Sequence, residues 1–300
     1  MDSLDAMRAF VAVVERGSFA EAARALRLSP AAATRAVAQI EGELGLSLLA
    51  RTTRSVRLTE GGRLYLDRCR RILADVDDAR SLARGDAAVP RGRLAVAAPV
   101  VFGRLHVLPV VETVLKAHPE MTVRLTLSDR LVHLVEEGID VAVRIGNLAD
   151  SALTAVKVGE VRQVLVASPD YLDARGVPNN LSALQDHDLI MFEGLSPTDD
   201  WRFGGDESVR VSPRLAVSGA DAAVAAAEHG LGIARALSYQ VHEGLTAGRL
   251  RLVLQEHAPP RIPVSLVYPT RRCGSSSLRV FVETAKVQLR SCPGAFACSA

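Results

Sequence analysis

SFAEAARALRLSPAAATRAVA, residues 18–38, sets two short Ala-rich helical patterns on either side of a three-residue break, Leu28-Ser29-Pro30. In the first segment Phe19, Ala22, Ala23 and Leu26 recur at spacings of three and four and so share one face, with Ser18 placed as N-cap and Glu21 three residues later. In the second, Ser29 can cap and Pro30 can occupy the first helical position, while Ala33, Val37 and Ile40 point inward and Ala32, Thr34, Arg35 and Gln39 point away. The spacing predicts a helix-turn-helix. Its outward set is small, polar and basic. Small residues let a helix backbone approach base edges, and Thr34, Arg35 and Gln39 carry groups that hydrogen-bond to bases or phosphates in a major groove. A helical hairpin buried in a core would also be rich in Ala, so the flanking sequence has to decide.

On the C-terminal side, LGLSLLARTTRSVRLTEGGRLYL runs from an apolar stretch into Arg51-Thr52-Thr53-Arg54, then an alternating Val56, Leu58 pattern, then Thr59-Glu60-Gly61-Gly62. This reads as a two-stranded wing. Arg51 and Arg54 at its tip suit phosphates or the negative potential of an adjacent minor groove. Residues 1–89 hold 14 Arg, no Lys and 12 acidic residues, and the remaining 211 hold 22 basic and 22 acidic ones, so the net +2 of the chain sits in this front segment. The use of Arg alone fits bidentate phosphate and base recognition, although a GC-rich genome gives the same bias.

With these residues in place the chain resembles the LysR-type transcriptional regulators, from Met1 to about Arg290. The resemblance is carried by LDAMRAFVAVVERGSFAEAARAL, by LSPAAATRAVAQIEGELGLSLLARTTRSVRLTEGG, by LSDRLVHLVEEGIDVAVRIG and by VASPDYL. It implies that a first helix, with its stripe Leu4, Met7, Phe10, Val11 and Val14, packs behind the helix-turn-helix. It further implies that Ser29, Pro30, Ala31, Ala32, Thr34 and Arg35 face the bases and that Arg51, Thr53 and Arg54 belong to the wing. Many members carry Gln-Pro where this chain has Pro30-Ala31, which removes one adenine-reading side chain and puts more weight on Thr34, Arg35 and the wing. Gly42 costs about 1 kcal/mol of helix stability relative to Ala, and fraying is expected there.

From Thr59 to about Arg84 the pattern stays helical, with Tyr65, Cys69, Ile72, Val76, Ala79 and Ala83 in a heptad stripe. Such a stripe packs either on its own domain or on a second copy of itself; the family resemblance favours a linker helix that pairs two subunits. Two modules on two half-sites multiply affinity and specificity, which points to an inverted-repeat operator. The expected organisation is a winged helix-turn-helix domain at 1–62, a linker and dimerisation helix at 59–89, an effector-binding domain at 90–290 and a disordered tail at 291–300. The first part is all-α apart from its wing.

After the small-residue stretch 85–92 the periodicity changes. Residues 93–99, 122–127 and 139–145 read as buried strands separated by helical patterns at 103–117 and 130–137, a βαβαβ order that argues for a parallel sheet. Further strands are expected at 153–158, 161–167, 209–217, 232–237, 250–255 and 262–268, with a helix at 220–228. About 200 residues of this kind suit two small α/β lobes with a ligand cleft between them. By resemblance this is a two-lobed α/β domain of the kind found in periplasmic binding proteins.

In open α/β sheets the crevice lies outside the carboxyl ends of strands, where helix N-termini favour anions. That selects the loops holding Val100, Val101 and Phe102, then Ser128, Asp129 and Arg130, then Arg144 and Gly146. From the other lobe it adds Phe192, Glu193, Trp201 and Ser218. Trp201 also reads as a core anchor, and Arg144 as a structural bridge to Asp129 or Asp140. Relatives often have Ser or Thr where Val101 stands, so a hydroxyl contact to a ligand carboxylate is missing.

The seven His residues form no HExxH pair or clustered ligand set, and neither a G-x-S-x-G elbow nor a P-loop occurs. Gly230-Leu231-Gly232 lacks the third glycine of a dinucleotide site. Cys69, Cys273, Cys292 and Cys298 lack metal spacing. No cofactor, metal or catalytic residue is expected. No apolar run precedes the first helix or reaches membrane-spanning length, so a cytoplasmic protein without membrane contact is expected. The expected partners are double-stranded DNA, a small-molecule effector with organic acids among the candidates, and further copies in a homodimer or homotetramer, with RNA polymerase a further candidate. The competing reading is a small-molecule-binding or catalytic α/β protein whose helical front end is only an oligomerisation arm.

Overall fold

The computed structural model describes residues 2–51, 56–84, 90–148, 153–195, 200–272 and 275–290. Its contacts divide the chain into two units, with the boundary between Arg93 and Leu94.

In the N-terminal unit, helices Ser3–Arg16, Phe19–Ala25 and Pro30–Leu44 pack on one another through Phe10, Val13, Ala22, Ala36, Val37 and Ile40. The buried face of the first helix is Ala6, Ala9, Phe10 and Val13; Met7, Val11 and Val14 flank it. The expected stripe was therefore rotated, because the closest helix approach selects small Ala side chains over larger ones. Gly17 and Gly45 end the first and third helices in the left-handed conformation, at φ +66° and +67°, which glycine adopts without a Cβ clash. The third helix runs through Gly42 to Leu44. Strands Leu49–Arg51 and Val56–Leu58 pair antiparallel as the wing, with Leu49 opposite Leu58. Helix Glu60–Arg84 follows, its first turn capped by Thr59, whose hydroxyl oxygen accepts the Gly62 N–H at 2.9 Å. A Cβ on Gly62 would lie 2.0 Å from the Leu48 carbonyl oxygen, so the wing and this helix can meet only at a glycine.

In the C-terminal unit, one sheet runs Met121–Leu127, Gly92–Ala98, Val141–Ile145, Ile262–Pro269, Leu153–Val161 in spatial order. The other runs Leu215–Val217, Leu189–Phe192, Ile233–Leu237, Gln163–Ala167, Arg251–Val253. Both are mixed, not wholly parallel: Gly92–Ala98 and Val141–Ile145 run parallel, but Ile262–Pro269 inserts antiparallel between Val141–Ile145 and Leu153–Val161. The helix expected at 103–117 begins earlier, as Val100–Phe102, a π-helical turn Gly103–Val107 and Leu108–Ala117. Pro109 brings no backbone N–H to this helix.

The helix expected at 130–137 is a turn. Val132 and Leu134 are buried while Leu131 and Val135 are exposed, an alternation of two. The carboxylate of Glu137 accepts the His133 N–H and both ends of the Arg130 guanidinium, so a side chain closes this loop. The strand expected at 209–217 is divided by Pro213 into Ser208–Arg210, paired with Asp200–Arg202, and Leu215–Val217, paired with Leu189–Phe192. Helices Pro169–Arg175, Ser238–Thr246 and Ser276–Arg290 complete the unit.

Candidate DNA-reading surface and effector cleft

Ser29 opens the third helix by accepting the Ala32 N–H on its hydroxyl at 3.1 Å, and Pro30 starts the first turn where no N–H partner is needed. Ala31 and Arg35 are exposed on this helix and Ala32 and Thr34 are half-buried beside them. The Thr34 hydroxyl donates back to the Pro30 carbonyl at 3.0 Å, which leaves its lone pairs as acceptors. Gln39 donates to Glu43 at 2.9 Å, so its amide is held by a neighbour one turn on. Arg35 is this helix's one cation, and it is exposed. Arg51 closes the first wing strand; its side chain, and Thr53 and Arg54, lie outside the described residues.

Glu41 ties the recognition helix to the wing and was not among the expected site residues. Its carboxylate accepts the N–H groups of Leu48 at 2.8 Å and Leu49 at 3.1 Å. An acid seven and eight residues before the amides it binds leaves no periodic signature.

The long helix is held against the first by Arg70–Glu15 at 2.9 Å and Arg8–Asp77 at 3.0 Å. Cys69 is 0% exposed in the helix-turn-helix core, and Tyr65 packs on Phe10 with ring centroids 5.7 Å apart. These two positions of the expected dimerisation stripe therefore serve the domain's own core, because the first turns of the helix lie on helix Ser3–Arg16. Ile72 is 41% exposed, Val76 half-buried and Ala79 exposed, and the side chain of Ala83 lies outside the described residues. Burial pushes the Cys69 thiol up to about 11, offset in part by a hydrogen bond with Tyr65, whose own hydroxyl burial raises to about 12.

In the C-terminal unit Ser128, Asp129, Arg144 and Gly146 come together around a cavity of about 380 Å³ at the carboxyl ends of the first lobe's strands. Sequence reasoning missed Leu131, Val132, Asn147 and Leu148 in its lining, having assigned the first two to a helix. The Val100 N–H donates to Asp129 at 3.0 Å, and Arg144 donates to the Val132 carbonyl at 3.0 Å. Arg144 thus bridges neither Asp129 nor Asp140; Asp140 instead pairs with Arg272 at 3.1 Å and accepts the Ala95 N–H at 2.8 Å. Glu137 is held down to about 2 chiefly by its hydrogen bonds from Arg130, which cancels that arginine's charge at the rim.

Three expected cleft residues belong to the core. Phe102 is fully buried, edge-on to Tyr239 at 5.2 Å and beside His106 at 4.8 Å. Trp201 is 0% exposed in the second lobe, with the Arg235 guanidinium 5.6 Å from its ring, and burial lowers that arginine to about 10. Phe192 is buried in the main core of the unit. Each buries a large apolar surface, and each sits on a different element, helix Val100–Phe102, strand Leu189–Phe192 and strand Asp200–Arg202, that turns it into a core. Val101 is also buried; Ser218 is exposed just before helix Ala220–Glu228, outside the lining of the cavity.

Among the described residues no cluster of His, Cys, Asp or Glu could hold a metal ion, and no helix is long and apolar enough to cross a membrane. The family model for the bacterial regulatory helix-turn-helix proteins of the lysR family matches residues 4–63, and that for the LysR substrate binding domain matches residues 87–290. An HTH-type transcriptional repressor of Pseudomonas aeruginosa is 36% identical over 94% of this chain and 90% of its own. The HTH-type transcriptional regulator PgrR of Escherichia coli is 34% identical over 93% of this chain and 96% of its own. The structure of CrgA, a LysR-type transcriptional regulator from Neisseria meningitidis, matches with TM-score 0.63 at 29% identity, covering 95% of this chain and 98% of that one. A capped recognition helix with its wing in one unit and a two-lobed α/β fold in the other agree with these relatives, none of which is described as an enzyme, and the chain belongs to the LysR family of helix-turn-helix transcriptional regulators.

Proposed function

We propose that this regulator binds an inverted-repeat operator as a homodimer or a pair of dimers, with Arg35 and the wing arginines Arg51 and Arg54 supplying its main contacts to DNA. Ser29, Pro30, Ala31, Ala32 and Thr34 form the close-approaching turn, and Gln39, held by Glu43, plays a lesser part. The observation that carries this reading is the exposed Arg35 on a helix whose first turn is free of bulky side chains and fixed by the Ser29 cap. Ile72, Val76 and Ala79 supply the apolar surface on which two linker helices meet. A small molecule in the cavity around Asp129 and Arg144 shifts the spacing of the DNA-binding heads, provided it favours one arrangement over the other by several kcal/mol.

Fluorescence anisotropy tests this on DNA from the gene's own upstream region against a shuffled fragment, across a salt series. Tight binding to the native fragment alone, weakened by salt and lost in Arg35→Ala with Arg54→Ala, is the expected result. Unchanged binding in the double variant would refute the assignment.

A further inference from the structure

We propose that the cavity of the first lobe takes a zwitterion, an α-amino acid with an apolar side chain, its ammonium group on Asp129 and its carboxylate on Arg144. The proposal rests on the reading of that cavity as the effector site. Asp129 and Arg144 line the same cavity, and each has an uncharged partner there, the Val100 N–H and the Val132 carbonyl. Arg130, the other cation of the lining, is neutralised by Glu137, so among the described residues the cavity offers one negative and one positive group. The Val100 amide at the start of helix Val100–Phe102 already has an anionic partner, the Asp129 carboxylate. A simple carboxylate would gain Arg144 and sit beside an uncompensated acid. A simple amine would meet the reverse. Only a ligand with both charges leaves neither side chain desolvated and unpaired.

Asp129 follows strand Met121–Leu127 and Arg144 lies in Val141–Ile145, with Gly92–Ala98 between them, so the two groups reach the cavity from either side of its middle strand. Leu131, 62% exposed, and Leu148, 36% exposed, give the cavity an apolar lip for the side chain. At about 380 Å³ the cavity lies at the small end of ligand sites.

The test is thermal shift and titration calorimetry of the full chain with the twenty proteinogenic L-amino acids. Each hit is compared with the matched acid lacking the amino group and the matched amine lacking the carboxylate. An apolar amino acid should raise the melting temperature, with both matched compounds at least about tenfold weaker. Asp129→Asn, which still accepts the Val100 N–H, and Arg144→Gln should each weaken the amino acid by about tenfold or more. A matched acid that binds as tightly as its amino acid, or an Asp129→Asn protein that binds the amino acid unchanged, overturns the zwitterion and leaves the cleft reading standing. If simple carboxylates act through Arg144 and amino acids do not, the same holds. If no compound of any set shifts the melting temperature or the binding of operator DNA, both readings fall.

Discussion

Removing the Glu41 carboxylate should loosen the wing without unfolding the recognition helix. Glu41 accepts two backbone N–H groups, from Leu48 and Leu49, whose side chains are buried, so water reaches those amides poorly once the acceptor is gone. A hydrogen bond to a charged group contributes about 1.5–3 kcal/mol. Glu41 itself is half-buried and one of its oxygens accepts both bonds, so each is discounted to about 1–2 kcal/mol and the pair together is worth roughly 2–4 kcal/mol. In Glu41→Ala, hydrogen exchange of the Leu48 and Leu49 amides in the full chain should therefore speed up by about 30- to 1,000-fold, while amides of residues 33–40 change little. Glu41→Gln keeps one acceptor oxygen and should fall between. Affinity for operator DNA should drop in step, since the wing loses its fixed register to the helix. Exchange at Leu48 and Leu49 within about threefold of the wild type would show that strand pairing, not this acid, holds the wing, and the reasoning would be wrong.

Three other outcomes follow from the same structure. Gly42 is exposed in mid-helix and a Cβ there meets nothing within 4 Å, so Gly42→Ala should slow exchange across residues 36–44 by about two- to fivefold, equivalent to 0.5–1 kcal/mol. Burial between Phe102 and Tyr239 lowers His106 to about 4 from an ordinary 6.5, so between these values the unfolded chain binds the extra proton and stability rises with pH. The contribution is whole above pH 6.5 and is lost as pH falls toward 4; urea titrations should show a loss of roughly 2–3 kcal/mol over that window, and His106→Gln should flatten it. With Cys273, Cys292 and Cys298 changed to Ser, Cys69 should resist a disulfide reagent at pH 8 in the folded protein and react at once in denaturant, since its thiol is buried and raised to about 11. Rapid labelling of the native protein would contradict that placement.

The helix-turn-helix was legible because its signals are local: a cap at Ser29, a proline at the first helical position and apolar residues at helical spacing all act within a few residues. The first helix shows where such reading stops. Its apolar residues cover more than one face, and only the close approach of the neighbouring helices decides that Ala6 and Ala9 go inside ahead of Leu4 and Met7. The sheet order was hidden for a stronger reason. Ile262–Pro269 reads locally as a strand, yet its partners are more than a hundred residues earlier in sequence, and nothing in its own pattern states that it runs antiparallel. The same holds for the cleft. Topology led to Ser128, Asp129, Arg144 and Gly146, which meet at the cavity, whereas the aromatics Phe102, Phe192 and Trp201 were assigned by proximity in sequence to loops and turned into the core.

Because Ile262–Pro269 completes a sheet whose other strands end at Val161, the first lobe cannot close until about a hundred further residues have been made. At synthesis rates of about 5–20 residues per second that is a delay of roughly 5–20 seconds, during which Val141–Ile145 has an open edge. The helix-turn-helix unit needs nothing from beyond the linker for its core and is free to fold throughout that interval. A nascent chain on the ribosome thus completes its helix-turn-helix unit before its first lobe, and a chain that stopped short of Ile262 would hold the one without the other.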